Sequence, residues 1–225
     1  MKASNKVTEE SWEGKRLGRF TSSEIHKLMT EPRTKAAKEA GELSEGAKTY
    51  VEQKVAEYIT QCRNDFSNMA TEWGNEHEPE AALLFAQSIG MDVTSMDFVY
   101  CGGDQPEFIP YKSFSGGSPD IILPTLDAIA EIKCPFESKN HIKHLLLNSD
   151  TIAEELPEYY CQMQCNMLFS EKSRAYFISY DPRFHEPLNL KVIAIERNDD
   201  FLAKVVSKLE AAMAYRSELL NKLAL

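Results

Sequence analysis

The sequence predicts a mixed α+β fold, one central mixed β-sheet flanked by helices, and three observations predict it. Helical and strand-like patterns follow one another as helix, several strands, helix, strand, strand, helix. The 225 residues contain no internal repeat or low-complexity tract, and that length suits one domain able to bury its core without disulfides. The hydrophobic fraction of 43% and the charged fraction of 27% are ordinary for a globular chain.

Taken in order, residues 33–47 are rich in Lys, Glu, Ala and Gly and read as a mobile loop or a poorly packed helix. Ser44 then caps a helix in which Val51, Val55, Tyr58 and Ile59 recur at helical spacing. A second helix is expected over 76–89, with Pro79 in its first turn and Gly90 past its end. Strands are expected over 92–101 and 108–114, separated by Gly102-Gly103-Asp104-Gln105-Pro106. Two more, over 118–123 and 128–134, form a hairpin turning at Pro124-Thr125-Leu126-Asp127. A helix over 157–169, strands over 175–180 and 191–196, and a long amphipathic helix over 199–222 capped by Asp199 complete the pattern.

The net charge of -10 argues against a nucleic-acid partner on average, but its distribution does not. Residues 1–38 hold nine Lys/Arg against five Asp/Glu, a net of +4 that leaves -14 for the remainder. A chain that grips phosphates needs a local basic path rather than a basic average. No apolar run is long enough to span a membrane, and Met1-Lys2-Ala3-Ser4-Asn5 leads into polar residues, so neither a membrane partner nor a secretory signal is expected. Five cysteines at irregular spacing fit a reducing, cytoplasmic compartment. None forms a C-x-x-C pair and none follows Cys165, so buried free thiols are expected rather than an iron–sulfur cluster. No zinc spacing is present, and His141 and His144 read equally as a solvated basic face or a DNA-contact patch.

The chemistry concentrates on Ser118-Pro119-Asp120 and Glu131-Ile132-Lys133. Glu131 and Lys133 lie two apart on a predicted strand and face the same side. With the turn centred on Thr125-Leu126, Asp120 pairs across from Glu131; a turn over 123–126 shifts the pairing by two and keeps all three on one face. Opposed carboxylates repel, and a divalent cation removes that penalty; hard oxygens suit magnesium or manganese. The Ile132 carbonyl could add an oxygen, and Lys133 would orient an attacking water or stabilise developing negative charge. This pattern suits metal-assisted phosphodiester hydrolysis. A solvated strand face is the plain alternative, but Ile121-Ile122-Leu123 and Ala128-Ile129-Ala130 make the hairpin read as buried. Glu78 either complements a helix dipole or adds a metal ligand. Gln162 and Gln164 are either core amides or reach the site.

Several segments together resemble the phage lambda exonuclease family, the YqaJ-type viral recombinases of the PD-(D/E)xK nuclease superfamily. They are Trp12 with Arg16-Leu17-Gly18 and Thr21-Ser22-Ser23-Glu24, Pro32-Arg33, Trp73-Gly74 with Glu78, Ser118-Pro119-Asp120, Glu131 to Phe136, Tyr159 with Gln162 and Gln164, and Tyr176-Phe177 with Tyr180-Asp181-Pro182-Arg183. The resemblance implies a restriction-endonuclease-like core in one domain over 1–225, with a DNA-end-binding segment at about 1–40 and a C-terminal helix at about 199–223. It implies that Glu78, Asp120, Glu131 and the Ile132 carbonyl are metal ligands, for two Mg2+ ions that Mn2+ can replace. Lys133 matches the catalytic lysine and Gln162 the helix glutamine beside it. Arg16, Ser23 and Ser118 match the pocket for a 5′-phosphate, and Arg33 an arginine that contacts DNA. The implied activity is 5′-to-3′ digestion of one strand from double-stranded DNA ends. The implied setting is a homotrimeric ring in a bacterial or phage-infected cell, with a single-strand annealing protein as partner. Thr71 is a departure, since the family's best-known member carries a leucine there that is thought to wedge the duplex end; Met69 is the candidate to take that part here. A structure- or sequence-specific endonuclease and a non-catalytic DNA-end-binding module are the competing readings.

Overall fold

The computed structural model describes residues 11–62, 69–103 and 107–224, so Asp104, Gln105 and Pro106 of the expected turn lie outside the described residues. In chain order the elements are α1 (Trp12–Arg16), β1 (Phe20–Thr21), a 3-10 turn (Ile25–Met29), α2 (Lys35–Glu39), α3 (Glu45–Thr60), α4 (Met69–Ser88), β2 (Val99–Tyr100), β3 (Ile109–Tyr111), β4 (Ser115–Gly117), β5 (Ile121–Leu123), a 3-10 turn (Pro124–Leu126), β6 (Ala128–Lys133), α5 (Ser138–Leu145), α6 (Ile152–Glu155), α7 (Pro157–Phe169), β7 (Arg174–Tyr180), β8 (Leu190–Glu196) and α8 (Asp199–Lys222). The fold is the mixed α+β one that the sequence predicts. It divides into two compact units, one of residues 1–64, 108–117 and 198–225 and the other of 65–107 and 118–197.

In the first unit α3 packs on α8. Ser44 caps α3 as expected, its hydroxyl accepting from the Ala47 N–H at 3.0 Å. The buried stripe of α3 runs through Ala47, Tyr50, Val51 and Val55, whereas Tyr58 and Ile59, expected to continue it, are 48% and 43% exposed. The reason is charge: Lys54 and Glu57 are buried in their place as an ion pair of 3.0 Å. Along α8 the buried residues Leu202, Val205, Leu209 and Ala212 keep helical period, and Asn198 rather than Asp199 is the cap, accepting from Phe201 N–H. The stretch over 33–47 holds α2, which buries nothing, and then runs through buried Leu43 into the Ser44 cap and first turn of α3. A three-stranded sheet of order β1-β4-β3 pairs β1 parallel and β3 antiparallel to β4. Its strands are too short for a periodic signal. Gly116 is required there, since a Cβ would meet the Phe108 ring at 2.4 Å and the Ile109 carbonyl at 2.6 Å.

The second unit is a five-stranded mixed sheet of order β2-β5-β6-β7-β8, with only β6 and β7 parallel. Those two central strands are almost wholly buried, as strands covered on both faces must be. Ala81, Ala82, Phe85 and Ala86 of α4 pack with Ile121, Leu123, Ala130 and Ile132. Met163 and Met167 of α7 pack with Ile129, Ala175, Phe177 and Ile193. The even residues of β6 therefore face α4 and the odd ones face α7. Helix α4 starts well before residue 76, and Pro79 lies in its interior rather than its first turn. A proline there removes the bond to the Asn75 carbonyl and costs about 3 kcal/mol. Burial of Phe85 alone returns about 1.5–3 kcal/mol, and the three alanines add to it. The strand expected over 92–101 shrinks to Val99–Tyr100, because Asp92 Oδ1 accepts from the Thr94 N–H and hydroxyl and turns the chain.

Candidate active site

The hairpin register is the first of the two expected. Ile121 pairs with Ala130 and Leu123 with Ala128, which sets Asp120 opposite Glu131. The backbone of Asp120 is pinned on both sides: its N–H donates to Ala130 O at 3.1 Å, and its carbonyl accepts from Cys101 N–H at 2.8 Å. Asp120 Oδ2 then accepts from the Ile132 N–H at 2.6 Å, which fastens the side chain between Glu131 and Lys133. Lys133 Nζ bonds Glu131 Oε1 at 2.7 Å and lies 4.9 Å from the centre of the Tyr159 ring.

Helix α7 closes over this face because Pro157 at its first position fixes its start and its apolar residues pack on the sheet. Gln162 Nε2 donates to Glu131 Oε1, and Asn166 Nδ2 donates to Glu131 Oε2 at 3.2 Å. Gln164 points elsewhere, to the Glu196 carbonyl on β8 at 2.9 Å, so of the two candidate glutamines only Gln162 reaches the cluster. Asn166 was missed in the sequence, although its place four residues after Gln162 puts both on one helix face.

Glu78, on α4, is the third carboxylate. Burial raises its pKa to about 7; Lys133 pulls it down and Glu131 pushes it up again. Burial likewise holds Asp120 well above the usual carboxylate range, with Glu131 and Glu78 adding repulsion and Lys133 and the Ile132 N–H opposing it. For Lys133 burial opposes the charge, but Glu131 and Asp120 outweigh it and keep the ammonium protonated. Three partly or fully buried carboxylates thus share one lysine.

The loop after Lys133 is clamped. Arg183 Nη2 donates to the carbonyls of Pro135 and Phe136 at 3.1 and 3.0 Å, bonds buried Asp181, and stacks 4.4 Å over the Trp73 ring. His77 packs edge-on against Trp73. His141 and His144 are neither a solvated face nor a DNA patch. Both are buried, and their Nδ1 atoms share the Ser179 hydroxyl at 2.8 Å. Burial, then His141, Lys133 and Lys143, lowers the pKa of His144 to about 4 and keeps it neutral.

Of the residues that the resemblance assigns to the DNA end, Arg16 and Ser23 come together in the first unit. Arg16 Nη2 donates to Ser23 Oγ at 3.4 Å, and its guanidinium lies 4.2 Å from the Trp12 ring centre. Gly18, next in the same segment, adopts φ +64°, and its N–H donates to Glu57 Oε2 at 3.3 Å. Arg33 is exposed beside buried Pro32. Ser118 belongs to the second unit, two residues before Asp120.

Residues 11–173 match the YqaJ-like viral recombinase domain. The chain belongs to this family. Membership carries a nuclease role, and nucleases of this type normally use a divalent metal. Among solved structures, the YqaJ-like chain is similar to an alkaline exonuclease (LHK-Exo) from Laribacter hongkongensis, at 25% identity over 96% of both chains and a TM-score of 0.75. The same enzyme in complex with dAMP matches at 26% identity, covering 96% of this chain and 98% of that one, with a TM-score of 0.71. A phage related exonuclease from Haemophilus somnus shares the fold, at 21% identity over 91% of this chain and 96% of that one, with a TM-score of 0.76. No curated protein matches the chain.

The donor set of the YqaJ-like site suits such a metal. Its oxygens are hard, buried on Glu131 and half-buried on Asp120 and Glu78, and short of positive charge. Among the described residues no three Asp, Glu, His or Cys side chains converge as a finished cage. Glu131 is turned toward Lys133, Gln162 and Asn166, and Asp120 toward the Ile132 N–H. No described helix is long and apolar enough to cross a membrane.

Proposed function

We propose that this chain is a magnesium-dependent 5′-to-3′ exonuclease of linear double-stranded DNA. It removes mononucleotides from one strand and leaves a 3′ overhang for recombination by single-strand annealing. The observation that carries the reading is the imbalance at the end of β6, where Asp120, Glu131 and Glu78 share Lys133 as their cation. Asp120, Glu131, Glu78 and the Ile132 carbonyl would hold two Mg2+ ions, or Mn2+ in their place, and these would supply Lewis-acid polarisation of the scissile phosphate.

The chain's own groups do the rest. Lys133, kept protonated by Glu131 and Asp120, donates to the attacking water or to a phosphoryl oxygen as negative charge develops. Gln162 and the Tyr159 ring hold Glu131 and Lys133 in place. Arg16, braced by Trp12, offers a guanidinium beside the Ser23 hydroxyl, a pairing suited to a terminal phosphate. Arg33 and Ser118 take the DNA-contact roles that the resemblance implies. On the same basis the working form is a homotrimeric ring in a bacterial or phage-infected cytoplasm, partnered by a single-strand annealing protein.

Digestion of linear duplex carrying 5′-phosphoryl or 5′-hydroxyl ends, with closed circles as control, tests the reading. Phosphoryl ends are expected to be degraded faster, Arg16→Ala to erase the difference, and circles to survive. Faster digestion of hydroxyl ends sinks the phosphate assignment, and rapid cutting of circles sinks the exonuclease.

A further inference from the structure

We infer that Asn166 is a positioning residue that fixes which oxygen of Glu131 faces a bound divalent cation. The inference rests on the reading of Glu131 as a metal ligand. A carboxylate offers about four lone-pair sites, two on each oxygen. On Glu131, Oε1 accepts from both Lys133 Nζ and Gln162 Nε2, which uses both of its sites. Among the described residues Oε2 accepts from Asn166 Nδ2 at 3.2 Å, which leaves one lone pair open on Oε2. The ligand atom is therefore Oε2, binding through a single oxygen.

Asn166 itself supplies the second observation. It is 1% exposed, on the inner face of α7 beside Met163 and Met167, and its Oδ1 meets no donor among the described residues. Turning the amide over would set Oδ1 against the carboxylate and strand Nδ2 instead, so Glu131 dictates the orientation. An unpaired buried acceptor is costly, and packing alone is better served by an apolar side chain at this place. What the residue contributes is its bond to Glu131. Gln162 and Asn166, four apart on the helix, grip opposite oxygens and stop the carboxylate from turning about its terminal torsion, which is otherwise broad.

Calorimetric titration with Mn2+, without DNA, tests this. Asn166→Ala should bind Mn2+ about tenfold or more weakly than the wild type. Glu131→Gln should lose more than Asn166→Ala. Unchanged Mn2+ affinity in folded Asn166→Ala overturns the role of Asn166 and leaves Glu131 as a ligand. Glu131→Gln binding Mn2+ as tightly as the wild type overturns both. Should Asn166→Ala not fold, a crystal structure of the wild type with Mn2+ decides. Coordination through Oε2 alone, with the Asn166 bond kept, supports the inference; coordination through Oε1 or through both oxygens overturns it.

Discussion

Lys54 and Lys133 are both lysines set among buried carboxylates, one in each unit, and their surroundings have opposite balance. Lys54 lies 2.9 Å from Glu24 and 3.0 Å from Glu57, and Glu24 also binds Lys27 at 2.6 Å, so two ammonium groups meet two carboxylates. Burial pushes the Glu24 carboxyl up, but Lys27 and Lys54 outweigh it and hold its pKa at about 2. Lys133 instead meets Glu131, Asp120 and Glu78, and two of those carboxyls sit above their ordinary range. The Lys54 cluster is complete in itself and anchors α3 and the Gly18 backbone. The Lys133 cluster is short of positive charge, which is the imbalance that the proposed cation would offset.

Removing each lysine breaks the comparison most sharply. Lys133→Ala should cut nucleotide release at least about a hundredfold, since it removes a donor aimed at developing charge. Lys54→Met should instead destabilise the fold by about 3–5 kcal/mol, measured by denaturant unfolding, because it leaves buried Glu57 without its ammonium partner and Glu24 with Lys27 in place of two. A Lys54→Met protein as stable as the wild type would mean that the first cluster is not a structural anchor.

A pH series gives a smaller effect of known sign. The Glu78 carboxyl rises from 4.5 to about 7 on folding. Its contribution favours the fold below pH 4.5, declines as the unfolded chain ionises first, and is gone above about 7. In divalent-free buffer, stability should therefore fall between pH 4.5 and about 7, and Glu78→Gln should flatten that slope by one proton. Divalent binding runs the other way, strengthening through the same window as Glu78 ionises. Identical slopes for the wild type and Glu78→Gln would remove Glu78 from the cluster.

How much of this the sequence could show depends on how local each cause is. The hairpin carrying Asp120, Glu131 and Lys133 was legible because the strand period of two keeps all three on one face in either of the two registers its turn allows, and α7 because Pro157 marks its start. Pro79 misled, since the local preference of proline for a first turn is overridden by the packing of α4 on the sheet. His141 and His144 misled because Lys139 and Lys143 make the segment look solvated, while their burial depends on Ser179, 35 or more residues away. Asn166 was hidden among apolar neighbours, and its partner on β6 is equally remote in sequence. Among the residues that the resemblance assigns to the DNA end, the nearness of Arg16 to Ser23 was legible through that resemblance alone.

Asp120→Asn, read two ways, tests the central claim most directly. The substitution keeps an acceptor for the Ile132 N–H and removes one charge from the crowded side of the comparison. The account predicts a divalent-free protein with a higher melting midpoint, by roughly 2–4 °C for each kcal/mol relieved, and loss of Mg2+-dependent nucleotide release from linear duplex. A variant that melts lower than the wild type, or that still digests DNA, would contradict it.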